Sequence, residues 1–279
     1  MNKCTYKKDR LSVILSTLVY LSAFMTAAVV IFILGYIGIN GIPNLAMPGL
    51  FNWEYNSENQ SMMPAIINTL IITVFSLIIA VPVGIFAAIY LVEYSKKGSR
   101  IVKIVRTATE TLSGIPSIVY GLFGFIVFYI TLGWGYTLLS GVITLAIMIL
   151  PLIIRTTEEA LISVDDNLRE GSYGLGAGKL RTIFRIVLPP AVPGILSGIV
   201  LSVGRIAGES AALIFTSGTN PVVAKSLFSS ASTLSVHMYA LLTEGLYTEQ
   251  AYATAVVLVI MVIVINGLSS LIAKKIGGK

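Results

Sequence analysis

Four long stretches of this chain contain no charged side chain, and they limit what it can fold into. They run from residue 11 to 53, from 59 to 92, from 111 to 154 and from 250 to 273. Because a helix needs roughly 20 apolar residues to cross about 30 Å of hydrocarbon, each stretch is long enough for at least one crossing. Charged residues make up only 11% of the chain, whereas soluble domains contain about 25%. The pattern predicts an integral membrane protein and excludes a soluble globular domain.

The apolar sequence divides into six predicted transmembrane helices, so the expected fold class is all-α. Two of them lie in the third uncharged stretch, separated by the tight turn Gly133-Trp134-Gly135. Another follows a polar segment after residue 155. The predicted spans cover residues 11–35, 65–92, 111–132, 136–154, 191–215 and 251–273.

Lysine and arginine give the predicted bundle an orientation. All but two of the 19 cationic residues, Lys225 and Arg205, lie in the tails or in the connections after the second and fourth spans. Since such residues concentrate in cytoplasmic loops, both termini are expected in the cytoplasm. Residues 1–10 and 274–279 are then cytoplasmic tails, and residues 11–273 form the transmembrane domain. The net charge of +6 follows from this topology, so nucleic acid is not an expected partner.

A glycine-rich run at residues 172–181 raises the question of nucleotide binding. A phosphate-binding loop requires Gly, four residues, then Gly-Lys followed by Ser or Thr. When the run is aligned on Gly178-Lys179, Tyr173 replaces the first glycine and Leu180 replaces the hydroxyl residue. Since leucine cannot ligate a cation, nucleotide binding by this chain is not expected.

The predicted loops have different characters at the two ends of the bundle. The cytoplasmic loop over residues 156–189 has an acidic beginning and a basic end, which suits a helix dipole. Its glycines permit a turn, so we expect a helix–turn–helix hinged near residues 174–178. The outward loops over residues 36–63 and 216–249 are either solvated connectors or a docking surface for an external partner. The second is long enough for a short helix near residues 234–242.

No catalytic, metal-binding or cofactor-binding pattern is recognisable. The one histidine, His237, has no partner ligands in its predicted loop, and the one cysteine is Cys4. The sequence contains no Ser/His/Asp, HExxH or paired-carboxylate pattern. An enzyme is therefore not expected.

The loop at 156–189 carries a longer pattern that resembles the cytoplasmic signature of ABC-importer permeases, E-A-A-x3-G-x9-I-x-L-P. The matching positions are Glu170, Gly171, Ser172, Gly176, Ile186, Leu188 and Pro189. Gly171 and Ser172 replace the two alanines. The segments LSGIPSIVYGLFG, EGSYGLGAGKLRTIFRIVLPPAVPGI and GRIAGES resemble phosphate-importer permeases, and the short tail with six spans is most similar to their PstA type.

The resemblance implies a type I ABC importer permease fold in the bacterial cytoplasmic (inner) membrane, in contact with membrane lipid. Such a chain forms the translocation pathway for inorganic phosphate with a second, PstC-like permease. Two cytoplasmic ATP-binding cassette ATPase subunits hydrolyse ATP, and an extracytoplasmic phosphate-binding protein delivers the phosphate. The resemblance also implies that the seven signature residues couple the permease to the ATPase.

Arg205 and Glu209 are the charged residues inside the fifth predicted span. They are four residues apart and are expected on one helix face. Charges inside a membrane usually face the bundle interior and pair. Two interpretations remain open. The pair either fixes helix packing or lines a substrate pathway, in which the planar arginine binds phosphate and the carboxylate accepts the proton that sulfate lacks. Arg106 and Glu110, also four apart, are expected to pair at the edge of the third span.

Two other functions stay open. The same architecture suits an ABC permease for another oxyanion, sulfate or molybdate. A self-sufficient secondary transporter would instead show inverted repeats, and no convincing repeat is recognisable in this sequence.

Overall fold

A computed structural model describes residues 10–56, 58–95 and 99–277. Over these residues the chain is helical and contains no β-strand. The α-helices are α1 Arg10–Gly41, α2 Met63–Ile89, α3 Arg100–Ser113, α4 Ser117–Gly124, α5 Leu138–Ile162, α6 Asp166–Gly174, α7 Lys179–Thr182, α8 Leu188–Ala207, α9 Ala211–Thr216, α10 Leu234–Glu244 and α11 Thr248–Gly277. Three of them continue as π-helical turns, α2 into Tyr90–Tyr94, α4 into Phe125–Thr131 and α7 into Ile183–Val187.

Five helical segments of the described chain are long and apolar enough to cross a membrane. They are Leu11–Ala46, Met63–Tyr94, Leu138–Ile162, Lys179–Ala207 and Thr248–Lys275. A sixth crossing results if α3 and α4 together count as one bent span. The predicted all-α membrane fold is therefore confirmed, although two of the six predicted spans are not continuous helices.

The third predicted span, residues 111–132, is broken at its beginning. α3 and the segment Ser117–Thr131 meet at an angle of 102° across Gly114–Pro116. Proline lacks a backbone N–H and disfavours helical geometry in the residue before it, so the helix ends ahead of Pro116. By contrast, Pro82 and Pro151 lie inside the continuous helices α2 and α5.

α3 packs sideways against α5 as a result of this bend. Val102 is buried, and Arg106 Nε donates to Glu158 Oε1 of α5 at 2.7 Å. Arg106 thus pairs with Glu158 rather than with Glu110, and the predicted pair within one helix is wrong.

The fifth predicted span, residues 191–215, is also broken. α8 ends at Ala207, and the short helix α9 begins only at Ala211. The residue that follows the last helical residue of α8 is Gly208, and glycine has a low helix propensity.

α5 is the axis of the bundle. In the most apolar 18-residue stretch of α5, 67% of the residues are buried, whereas none are buried in the corresponding stretch of the α1 segment. In one core cluster, Leu145 and Ile149 of α5 pack with Ile72 of α2, Ile206 of α8 and Leu213 of α9. α1 presents its apolar side chains outward, as suits a helix against lipid or another membrane subunit.

The predicted outward loop over residues 216–249 contains helix α10, so the expected short helix is confirmed. The loop packs into the bundle instead of standing in solvent. Asn68 of α2, fully buried, donates through Nδ2 to Val222 O at 2.9 Å and Ser232 O at 3.1 Å. Its Oδ1 accepts from Ala224 N at 3.0 Å. One amide on α2 therefore holds the loop at three points.

α4 and α9 approach each other closely at Gly121. A Cβ atom at this position would lie 2.8 Å from Ala212 Cα and 3.0 Å from Ala212 O. Both are backbone atoms, which cannot rotate away as a side chain does.

We expect Gly121→Ala to destabilise the protein, because overpacking of this kind costs roughly 1–3 kcal/mol. The matched control is Gly267→Ala in α11, where a Cβ would have no neighbour within 4 Å. The measurement is the midpoint of thermal unfolding of the purified protein in detergent. Equal midpoints for the two variants would contradict the close contact between α4 and α9.

Candidate functional site

The signature-bearing loop is a helix–turn–helix, which we call the α6–α7 segment, residues 166–187. Asp165 caps α6, since its carboxylate accepts from Asn167 N at 2.9 Å. Gly176 has a φ of +80°, a left-handed conformation that favours glycine. Across the turn, the hydroxyls of Ser172 and Thr182 share a hydrogen bond of 2.9 Å. The expected helix–turn–helix, with its turn near residues 174–178, is confirmed.

The structure brings four of the seven signature residues to one open groove and leaves the other three outside its lining. Gly171, Ser172, Gly176 and Ile186 line the groove, which has a volume of about 650 Å³. The remaining signature residues lie on the same segment or just after it: Glu170 and Pro189 are exposed, and Leu188 is half-buried. The signature residues thus lie mainly on the surface. The exception is Ser172, which is buried and whose hydroxyl bridges the turn.

Two exposed leucines belong to this surface and carry no signature position. Leu175 at the turn is 90% exposed and Leu180 is 63% exposed. Leu175 and the half-buried Ile186 both line the groove, next to Arg181 and Arg185. Several apolar side chains grouped on one surface, with polar residues around them, are typical of a protein contact. In the sequence, the leucines of this surface stand out because they lie inside a glycine-rich run.

Arg205 and Glu209 do not share a helix face, so that expectation is wrong. Arg205 lies half-buried in the last turn of α8, and Glu209 follows the end of that helix. Glu209 Oε1 accepts from Ala212 N at 3.1 Å and so caps the start of α9. Among the described residues, no ion pair within 4.0 Å joins the two side chains.

The break in α8 is supported by hydrogen bonds from other elements. Ser235, near the start of α10, donates through Oγ to Glu209 O at 2.6 Å. Leu213 N and Ile214 N both reach Ser210 O, at 3.1 and 3.0 Å. Backbone that leaves a helix inside a bundle must be satisfied by protein groups or by water in a cavity, and here the protein groups are present.

The break in α8 lies beside the break before α4, and we call residues 114–116 and 208–210 the paired breaks. Tyr120 Oη donates to Leu112 O at 2.8 Å and so bridges the first break. Gly121 of α4 lies against the backbone of Ala212 of α9. Two discontinuous helices therefore pack against each other near their breaks, with Arg205 in the last turn of α8. Membrane transporters use discontinuous helices at substrate sites.

Across residues 10–56, 58–95 and 99–277, no group of three or more His, Cys, Asp or Glu side chains is placed to hold a metal ion. His237 is buried in α10 with Tyr55 edge-on at 6.1 Å, and burial lowers the pKa of its imidazole. Its position is that of a packing residue.

The architecture and the signature together match a known family. The family described as binding-protein-dependent transport system inner membrane component matches residues 80–278. The chain belongs to this family of ABC-transporter permeases.

Curated relatives of the permease agree with this assignment. It is 33% identical over 269 residues to the probable ABC transporter permease protein YqgI of Bacillus subtilis, covering 88% of this chain and 89% of the relative. It is 33% identical over 275 residues to the phosphate transport system permease protein PstA of Yersinia pestis, covering 96% and 91%. The expected likeness to PstA-type permeases is confirmed.

Solved structures share the fold of this permease. A chain in the crystal structure of a bacterial alginate ABC transporter, in complex with an alginate pentasaccharide-bound periplasmic protein, matches with a TM-score of 0.67. The identity is 18%, and the match covers 96% of this chain and 94% of that one. A chain of the inward-facing MetNI methionine ABC transporter matches with a TM-score of 0.60 at 19% identity, over 76% and 93%. The type I ABC importer permease fold is thereby confirmed for a multi-pass membrane protein.

The capping contact of Glu209 generates a test of its structural role. Glu209→Ala removes the acceptor for Ala212 N and is expected to cost about 0.5–2 kcal/mol of stability, as the loss of other helix caps does. Glu209→Gln keeps a side-chain oxygen and is expected to unfold near the wild-type midpoint. Thermal unfolding in detergent compares the two. An alanine variant as stable as the glutamine variant would contradict the cap.

Proposed function

We propose that this chain is a permease subunit of an ATP-driven importer of inorganic phosphate. The observation that carries the substrate is the 33% identity, over 96% of this chain, to a protein named as a phosphate transport system permease. A second relative of that name, PstA 1 of Mycobacterium tuberculosis, is 36% identical over 205 residues, covering 72% of this chain and 67% of the relative.

The paired breaks are the proposed translocation site, with Arg205 as the group that recognises phosphate. Its guanidinium carries five donors in a planar fork that fits a phosphate group in bidentate fashion. No carboxylate among the described residues lies within 4.0 Å of it, so its charge is available for an anion. A half-buried position strengthens such an interaction, because the local dielectric constant is lower than that of water.

Glu209 is proposed to act at this site in two ways. Its capping contact fixes where α9 begins, and its carboxylate is an acceptor for the proton that phosphate carries near neutral pH. Sulfate lacks that proton and would meet only repulsion. The proposed pair thus favours phosphate over sulfate without any direct contact between Arg205 and Glu209.

The α6–α7 segment is the proposed contact with the ATPase. Glu170 and the exposed leucines Leu175 and Leu180 offer charge and apolar area. The groove that Gly171, Ser172, Gly176 and Ile186 line receives part of the partner, while Leu188 and Pro189 begin α8 and continue the contact into the bundle. Two ATP-binding cassette subunits hydrolyse ATP in this arrangement.

The orientation follows from that contact. The α6–α7 segment, both tails and α3 face the cytoplasm, and the loops over residues 36–63 and 217–247 face outward. An extracytoplasmic phosphate-binding protein would dock on those outward loops, and a PstC-like permease would complete the pathway in the bacterial inner membrane. Residues 11–273 make up the transmembrane domain, and residues 1–10 and 274–279 are cytoplasmic tails.

The test is uptake of labelled phosphate by cells that lack the gene and carry a wild-type or variant copy. Arg205→Gln removes charge-assisted hydrogen bonds worth about 1.5–3 kcal/mol each, so uptake is expected to fall at least roughly tenfold. Arg155→Gln is the matched control, since the Arg155 side chain is 63% exposed on α5. Uptake by the control is expected to equal that of wild type.

Labelled sulfate and molybdate, measured in parallel, test the alternative substrates. Uptake of either by the wild-type copy in place of phosphate would keep the permease and overturn the substrate. Loss of the assembled complex in Arg205→Gln, measured by co-purification of its ATPase, would assign Arg205 a packing role. Transport without any ATPase subunit would favour a secondary transporter.

A further inference from the structure

Arg169 is a buried arginine at the root of the α6–α7 segment. Its side chain is 13% exposed, and its partner Glu93, at the end of the α2 segment, is 5% exposed. The two residues are 76 positions apart in the chain. Two other ion pairs of the described chain are more open, with Arg106 49% and Arg155 63% exposed.

The guanidinium of Arg169 is fully used. Nε and Nη2 donate to Glu93 Oε1 at 3.0 and 2.9 Å. Nη2 also donates to Leu161 O at 2.8 Å, and Nη1 donates to Val164 O at 2.7 Å and to Asp166 Oδ1 at 3.0 Å. Arginine has five N–H donors, and all five are engaged here. A lysine has three donors around one nitrogen and cannot reach the same set.

These contacts join three elements. Leu161 lies in the last turn of α5 and Val164 follows the end of that helix, so Arg169 binds two carbonyl groups at the C-terminus of α5. Glu93 belongs to the end of α2, and Arg169 itself belongs to α6. Both partners are largely withdrawn from solvent, and breaking such a pair is strongly unfavourable, so α6 cannot shift relative to α2 and α5 without a large penalty.

The second arm of the α6–α7 segment holds the same end of α2. The ammonium of Lys179 lies 4.6 Å from the centroid of the Tyr94 ring, a cation–π distance. Ile183 and Val187 pack in one buried cluster with Ile89 of α2. Both arms of the turn are thus attached to the end of α2.

α2 continues from this attachment to the paired breaks. Near its other end, Thr69 Oγ1 accepts from Leu234 N at 2.8 Å, at the start of α10. The next residue, Ser235, donates to Glu209 O at the break in α8. A displacement of α2 along its axis would therefore act, through the start of α10, on a hydrogen bond that supports the break.

We infer that Arg169 is a positioning residue that transmits movement of the α6–α7 segment to α2 and α5, and through α2 to the break at Gly208–Ser210. The inference rests on the proposed coupling function. Arg169 touches neither the substrate pathway nor the exposed groove, and it acts through the elements that it joins.

The test uses the complete transporter with its ATPase subunits, reconstituted as wild type, Arg169→Lys and Glu93→Gln. The control is Arg155→Lys, the same substitution in the exposed pair of Arg155 with Glu159 at 3.0 Å. In Arg169→Lys, the ATPase is expected to co-purify in normal amount and to keep its KM for ATP. Labelled phosphate moved per ATP hydrolysed is expected to fall about tenfold, and the control is expected to match wild type.

Hydrogen exchange gives a readout that does not depend on the substrate. Addition of ATP with vanadate is expected to change exchange at residues 85–95 in wild type. In Arg169→Lys, the change is expected to persist in residues 166–176 and to disappear at residues 85–95. This difference distinguishes a loss of transmission to α2 from a general loss of stability, because a general loss of stability would alter exchange in both segments.

Three results of the coupling and exchange measurements would overturn the inference. They are normal phosphate-to-ATP coupling in Arg169→Lys, a normal exchange response at residues 85–95 in that variant, and the absence of any response there in wild type. Loss of co-purified ATPase in proportion to lost transport would assign Arg169 a purely structural role, which also overturns it. Wild-type complex that moves no phosphate would instead overturn the proposed substrate, and the exchange comparison would still decide the role of Arg169.

Discussion

Because the membrane interior contains no bulk water, every backbone N–H and carbonyl that leaves a helix there needs a partner within the protein or a cavity. In this permease that requirement explains several polar side chains beside the breaks. Glu209 and Ser235 satisfy backbone groups where α8 stops, and Tyr120 bridges the break before α4. Asn68 satisfies the loop that follows α9. The breaks persist because these side chains support them.

Side-chain contacts are also proposed to determine how the two ends of the molecule communicate. α5 packs at the centre, and α2 and α8 lie against it. The α6–α7 segment is joined to the ends of α2 and α5 by four of the five hydrogen bonds of Arg169, so a force applied at the exposed turn is proposed to reach two central helices at once. α2 in turn holds the start of α10, which supports the break in α8. Coupling and translocation are thus proposed to share one mechanical element, α2.

The sequence predicts the helical membrane fold well, because uncharged stretches of more than 20 residues allow few alternatives. It does not predict the breaks. Pro82 and Pro151 lie inside continuous helices, whereas Pro116 marks a bend of 102°, and the three look alike in an apolar sequence. At Pro116 the hydrogen bond from Tyr120 Oη to Leu112 O bridges the bend, and the apolar pattern of the sequence does not indicate it.

The candidate site shows the same limit. The spacing of Arg205 and Glu209 indicates one helix face only if the helix is continuous, and Gly208 ends it. The signature residues from Glu170 to Pro189 were recognisable because their spacing is local. Arg169 was not, since its partner Glu93 is 76 residues away and nothing in the sequence joins them.

The most direct measurement of the coupling account is site-specific cross-linking in the assembled transporter, in a Cys4→Ser background. A cysteine introduced by Leu175→Cys, at a side chain that is 90% exposed on the turn, is expected to cross-link to the ATPase subunit. A cysteine introduced by Leu246→Cys, 81% exposed in the loop after α10, is expected to give no such product. Cross-linking to the ATPase from position 246 and not from position 175 would contradict the account.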